Sequence, residues 1–266
     1  MNQKPPAEFH SVFGFGNLKS IFPVKKSAKF GNLVATLVFF GAAMVAFAFG
    51  LWNTYTRWQK FGPAVILRTI TGPTIVAIVL FIIGLITAWN TFSNWKKTVG
   101  IYDQGFAYND RKGLRSWRWS EINSMTSAIT KHYTNGVYSG TTHVYTLLKE
   151  DGNKVILNDA ISKVEEAAGM IREEIYPLLY AKNAQAYNAG KKVSFGPVSI
   201  AKGEGVQIGK KIFPWDEIDH VVVQKGFVQL AKKGEGKFSG ASISAASVPN
   251  LEVLLSIANQ VIGNKN

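Results

Sequence analysis

Leu33–Trp52 reads LVATLVFFGAAMVAFAFGLW, twenty residues without a charge. A helix of that length, rising ~1.5 Å per residue, covers the ~30 Å hydrocarbon core of a bilayer. Thr74–Phe92, TIVAIVLFIIGLITAWNTF, is a second uncharged run, and Pro73 stands before it, where a first-turn proline is tolerated. Two transmembrane helices are therefore expected, over 33–52 and 74–94. Phe30, Trp52, Tyr55, Trp58, Trp89, Phe92 and Trp95 fall near the span ends, where amphipathic rings favour the headgroup layer. A cleaved signal sequence does not fit, because the apolar run is too long and no small-residue cleavage site precedes it.

These runs distort the whole-chain averages. At 266 residues, 47% hydrophobic and a mean hydropathy of +0.05, the chain averages out like a soluble protein, yet its hydrophobicity is concentrated before residue 95. The net charge of +13 divides as well: residues 1–94 carry eight Lys and Arg against Glu8 alone, 8 − 1 = +7, and the rest carries 22 − 16 = +6. In the second segment the signs are interspersed, which suits a solvated surface and not a nucleic-acid stripe; no nucleic-acid partner is expected. Lys19, Lys25, Lys26 and Lys29 precede the first span, and Lys96, Lys97, Arg111, Lys112 and Arg115 follow the second. The 53–73 connection, expected as an extracytoplasmic loop, holds only Arg57, Lys60 and Arg68. The positive-inside rule then gives a multi-pass protein of the cell (plasma) membrane with both termini cytoplasmic. Lys25, Lys26, Lys29, Lys96, Lys97, Arg111, Lys112 and Arg115 are the candidate membrane-surface contacts. Residues 1–32 read as a cytoplasmic tail: Phe9, Val12, Phe13, Phe15, Ile21 and Phe22 suit the membrane interface, but Gly14, Gly16, Pro23 and Gly31 interrupt any long helix.

Beyond Trp95 the pattern changes to short strands separated by turns at Asp103–Gly105, Asn109–Gly113, Asn135-Gly136 and Asp151-Gly152. A helix closes this set: Ile161, Val164, Ala168, Ile171, Ile175 and Leu178 recur at three and four, with Ser162 and Glu165 at capping-box spacing. The order then recurs, with strands from Val193 to Leu230 and a helix after Pro249-Asn250 that buries Val253, Leu254, Ile257 and Val261 and stops at Gly263. Trp119-x-Glu121-Ile122 matches Trp215-x-Glu217-Ile218, and Gly105 matches Gly205. This points to an α+β tandem repeat, residues 97–182 and 186–264, following the two helices. Trp119 and Trp215 read as core anchors.

Strand pairs, a tryptophan followed by Glu-Ile and one closing helix resemble the pleckstrin-homology-like domains of bacterial membrane proteins. Gly190-Lys191-Lys192-Val193-Ser194-Phe195-Gly196, Gly205, Pro214-Trp215-Asp216-Glu217-Ile218, Gly226 and Pro249-Asn250 look like an uncharacterised bacterial family of unknown function, over about 97–263. The resemblance implies two tandem pleckstrin-homology-like β-barrel or sandwich domains, each closed by a C-terminal helix, and little about activity.

With no cysteine, disulfides, zinc thiolates and thiol nucleophiles are excluded. His10, His132, His143 and His220 have no partner at ligand spacing except Asp219-His220, whose side chains point to opposite faces of a strand. Gly203-x-Gly205 with Gly209, and Gly234-x-Gly236 with Gly240, lack dinucleotide spacing and read as hairpin turns. Gly209-Lys210-Lys211 and Gly236-Lys237-Phe238 lack a phosphate-loop pattern. No catalytic residue, metal or cofactor is expected. The lysine pairs Lys191-Lys192, Lys210-Lys211 and Lys232-Lys233 read as solvated turns. The functional expectation is a non-enzymatic membrane-anchored binding or scaffold protein, its partners the lipid bilayer and a protein or a second copy of itself. The alternative is an oligomeric transporter or channel subunit, for which Gly41, Ala42, Ala43, Ala46 and Gly50 offer a small-residue packing face.

Overall fold

The computed structural model describes residues 9, 12, 14–234 and 240–263. Glu8, His10, Phe13, Gly236, Lys237 and Phe238 lie outside them. The described chain divides into two compact units, one of Pro23–Thr98 with Asn109–Leu114 and the other of the remainder.

The first unit is built on two helices, α1 (Lys26–Phe61) and α2 (Ile66–Asn94), both long and apolar enough to cross a bilayer. Each runs past the uncharged core. The residues expected as a 53–73 loop are helical except for the short connection at Gly62, with a 3₁₀ turn over Pro63–Val65. Nothing before Gly62-Pro63 breaks α1, and charged side chains beyond the hydrocarbon core cost a helix little. Pro73 consequently lies inside α2 and not at its start, and Pro63 takes the first-turn position instead. The helices meet along small residues at heptad spacing: Thr36, Ala43 and Gly50 of α1 and Ala77, Gly84 and Thr91 of α2 are buried. A methyl on Gly50 would stand 2.7 Å from Pro73, and one on Gly84 2.8 Å from Phe40. Hydroxyls cross the seam at both ends, from Thr36 to Thr87 (3.1 Å) and from Thr69 to Thr54 (3.1 Å).

The second unit is α+β. Its strands are β1 (Leu18–Pro23), β2 (Thr98–Tyr102), β3 (Gly105–Asp110), β4 (Gly113–Arg118), β5 (Ile122–Thr134), β6 (Val137–Lys149) and β7 (Lys154–Asn158), followed by helix α3 (Val164–Asn188). Then come β8 (Val193–Phe195), β9 (Val198–Ala201), β10 (Gly205–Ile208), β11 (Lys211–Phe213), β12 (Ile218–Gln224), β13 (Phe227–Lys232), β14 (Ala241–Ser244) and α4 (Leu251–Gly263). They form four sheets, ordered β1-β2-β3-β4, β5-β6-β7, β8-β9-β10-β11 and β12-β13-β14. Of the expected barrel or sandwich, a closed barrel is not formed among the described residues. At Trp119–Glu121 a 3₁₀ turn, and at 215–217 a second turn, carry the chain from each four-stranded sheet to a three-stranded one.

The 1–32 segment is not simply a tail. It supplies β1, and it buries Phe9, Phe15 and Phe22, because the strand β2 that receives it lies beyond both helices in sequence. Lys19 ties β1 to α3 through Glu174 (2.8 Å), which raises the lysine's pKa. Helix α3 also departs from the sequence pattern. Lys163 takes a left-handed conformation (φ 51°) before it and no side chain caps the helix, so the Ser162–Glu165 capping box does not form. Leu179, not Leu178, faces inward, and the helix continues through 183–188 to bury Tyr187. In α4 the last inward residue is Ile262, with Val261 only partly buried. One continuous apolar cluster runs from Phe22 through Trp119, Ile171 and Tyr187 to Trp215 and Ile262.

Candidate functional site

The two tryptophan turns are built alike. The Trp119 indole N–H donates to the Asp103 carbonyl (3.0 Å), and that of Trp215 donates to the Ala201 carbonyl (2.8 Å). Glu121 pairs with Lys149 at the end of β6 (2.9 Å) and Glu217 with Lys232 at the end of β13 (3.2 Å). The same lysines lie over aromatic faces, Lys149 5.1 Å from the Trp117 ring and Lys232 5.8 Å from Phe213. Ile122 and Ile218 are buried beneath. Gly105 and Gly205 are required on steric grounds, since a Cβ would fall 2.2 Å from the Trp117 carbonyl oxygen in one and 1.9 Å from that of Phe213 in the other. These residues hold backbone and core.

The basic residues of the helical unit, Arg57, Lys60 and Arg68 apart, gather where the chain enters α1 and leaves α2. Lys29 lies 4.8 Å over Trp95, and the Arg111 guanidinium 4.3 Å over Trp89. Lys96 and Arg111 border one groove. Burial pushes the Lys97 ammonium below the usual lysine range, and the Asp110 carboxylate partly offsets this. Lys26 and Lys112 are exposed and Lys25 is half-buried. Arg115 belongs instead to the second unit, 5.8 Å from the Tyr108 ring.

Sequence reasoning misses a cleft of about 440 Å³ in the second unit, bordered by Met125, Ser127, Arg172, Tyr176, Asn250 and Glu252. Asn250 locks one edge of it. Its φ of 50° turns the side chain onto β5, where Oδ1 accepts the Met125 N–H (2.9 Å) and the amide donates to the Asn123 carbonyl (3.0 Å). Its own N–H donates to the Met125 carbonyl (2.9 Å). Pro249-Asn250 reads as a helix start in sequence; in three dimensions it joins the later half to the earlier. Arg172 pairs with Glu252 (3.1 Å), and the stacked Tyr176 and Tyr180 bond Ser256 (2.7 Å) and Gln260 (2.8 Å), so α3 and α4 share a polar seam.

His143 also gains partners that spacing does not reveal. Its Nδ1 faces Asp159 (3.1 Å), its Nε2 faces Glu165 (2.5 Å), and its ring stacks on Tyr145. Each ring nitrogen thus lies within hydrogen-bond distance of a carboxylate oxygen. Among the described residues, no group of three or more His, Cys, Asp or Glu is arranged to hold a metal ion. Gly205 (φ 111°) opens strand β10 and Gly209 (φ 59°) lies in the turn after it, with no helix opening there to receive a phosphate.

A family model described as a family of unknown function (DUF6585) matches residues 9–265, and the chain belongs to that family. No protein of curated function matches it.

Proposed function

We propose that this protein is a membrane-anchored, non-enzymatic binding protein, in which a two-helix anchor presents tandem pleckstrin-homology-like domains at the cytoplasmic face of the cell membrane. The observation that carries the reading is the outward surface of α1 and α2. Leu37, Met44, Val45, Phe49, Ile75, Val79, Phe81 and Ile86 are exposed along it, and a contiguous apolar surface of that extent needs lipid or another protein to cover it. Four strands, three strands and a closing helix occur twice in the same order, with equivalent tryptophan turns, which supports a duplicated domain of this type. Among the described residues, strand β5 pairs in a ladder with β6 alone, and Asn250 takes its other side at Asn123 and Met125, so strand addition by a partner peptide would fall on the stretch beyond Met125.

The transporter or channel alternative keeps only part of its packing face, Gly41, Ala42 and Ala46. Ala43 and Gly50 are used within the hairpin, and neither uncharged run carries an ionisable group to mark a path. The test is extraction of membranes with alkaline carbonate, combined with reporters fused at the C-terminus and inserted at Gly62. Retention in the pellet with a cytoplasmic C-terminus and an external Gly62 reporter is the expected result. Release into the supernatant overturns the anchor, and an external C-terminus overturns the orientation.

A further inference from the structure

The groove bordered by Lys96 and Arg111 has a volume of about 410 Å³, within the range of small-molecule sites. Leu33, Ala88, Phe92 and Trp95 make its apolar wall. Thr36 and Thr91 also line it, but their hydroxyls donate to the Asn32 carbonyl (2.8 Å) and the Thr87 carbonyl (2.9 Å) of their own helices. They offer the groove their methyl sides. No acidic side chain among the described residues borders it. The nearest acid in sequence, Asp110, accepts the Lys112 N–H (2.8 Å) within its own turn. The Arg111 guanidinium lies 4.3 Å over the Trp89 ring on an exposed side chain, and a guanidinium held on an aromatic face can still offer N–H donors to an anion. Lys29, over Trp95, adds a further cation beside the wall.

The groove thus has a cationic rim and an apolar interior, at the level where the uncharged runs of α1 and α2 meet their flanking lysines. A soluble anion would satisfy the rim and leave the apolar wall uncovered; a zwitterionic lipid would bring a cation against the rim. We infer that this groove is a binding site for one anionic glycerophospholipid, its phosphate on Lys96 and Arg111 and one acyl chain along Leu33, Ala88 and Phe92. This rests on the membrane-anchor reading above. The site would favour an anionic leaflet and fix the depth of the helix ends in it.

The experiment uses the full-length protein reconstituted in phosphatidylcholine bilayers, with tryptophan fluorescence followed as brominated phosphatidylglycerol or brominated phosphatidylcholine is added. Trp89 and Trp95 report on the groove. Half-maximal quenching is expected at a mole fraction of brominated phosphatidylglycerol roughly tenfold below that of brominated phosphatidylcholine. K96Q/R111Q should remove the preference while leaving quenching itself intact. A88W, which fills the groove without touching a charge, should also remove it. Equal quenching by both lipids in the wild type, or a preference that survives K96Q/R111Q, overturns the lipid site and leaves the anchor standing. Absence of quenching by either lipid overturns the anchor with it. Loss of the preference on addition of millimolar inorganic phosphate at constant ionic strength would identify a free-anion site instead and overturn the lipid assignment.

Discussion

The Trp119 and Trp215 turns share a hydrogen-bond plan and differ in what stands behind the ring. Phe106, from the neighbouring strand β3, stacks on Trp119 (6.0 Å, 23°). Trp215 is met edge-on by Tyr187 (6.1 Å, 88°), from the last turn of α3. The earlier half therefore completes its own tryptophan site, while the later half borrows from the helix that closes the earlier one. Asn250 returns the dependence by pairing with β5. The two similar turns thus lean on each other's halves through Tyr187 and Asn250.

The largest expected effect is at the paired glycines. In Gly205→Ala the new Cβ meets the Phe213 carbonyl oxygen, and the residue must also keep φ at 111°, so a loss of roughly 4 kcal/mol is expected. Gly105→Ala meets the Trp117 carbonyl oxygen and the Phe15 ring without left-handed strain, and should cost about 1 kcal/mol less. Thermal unfolding of the full-length protein in detergent ranks the two; equal losses would mean that sterics alone govern both sites. Next is Asn250→Gly, which preserves the left-handed backbone and deletes the two side-chain bonds to β5, for a loss of about 2 kcal/mol. If the two halves support each other through Asn250 and Tyr187, this variant should also separate one unfolding transition into two. A third test replaces each tryptophan by phenylalanine. The bond to the Ala201 carbonyl is buried and that to the Asp103 carbonyl only partly so, and water can replace the second but not the first. Trp215→Phe should then be the more destabilising by about 1 kcal/mol.

What can be read in sequence follows the range of each interaction. Two uncharged runs announce the helices, because crossing hydrocarbon is a property of consecutive residues. Their true ends are not legible: Lys60 and Arg68 continue the helices on hydrogen bonding that hydropathy does not register. The Trp-x-Glu-Ile turns are legible because indole, glutamate and core isoleucine lie within four residues. Asn250 is not, since its partners Asn123 and Met125 lie on the far side of α3 in sequence and an asparagine before a helix already has a local explanation as a cap. Strand β1 is hidden for the same reason, its neighbour β2 following both helices. Glu165 shows the competition directly. Local spacing assigns it to a capping box with Ser162, whereas the fold turns it to His143 on β6.

The smallest expected difference lies between the two glutamates. Hydrogen bonding to the Lys149 ammonium, and next to the Arg118 backbone N–H, holds the Glu121 carboxyl below its ordinary value of 4.5. A carboxylate depressed by folding adds stability that is fully present above the unfolded-state value and is lost as pH falls through the folded-state value. Glu121→Gln should therefore lower stability at neutral pH by about 0.5 kcal/mol, a figure kept small because the side chain is 44% exposed, and the gap to wild type should close on acidification below the ordinary carboxylate range. Glu217→Gln removes a pairing with Lys232 at 3.2 Å, without a second donor like the Arg118 N–H among the described residues, and its effect at neutral pH should be smaller still. Melting curves of both variants across an acid series separate the cases. A gap for Glu121→Gln that widens as pH falls would have the sign opposite to that of a depressed carboxylate, and would mean that the first turn is held by its tryptophan bond and backbone alone, as the second largely is.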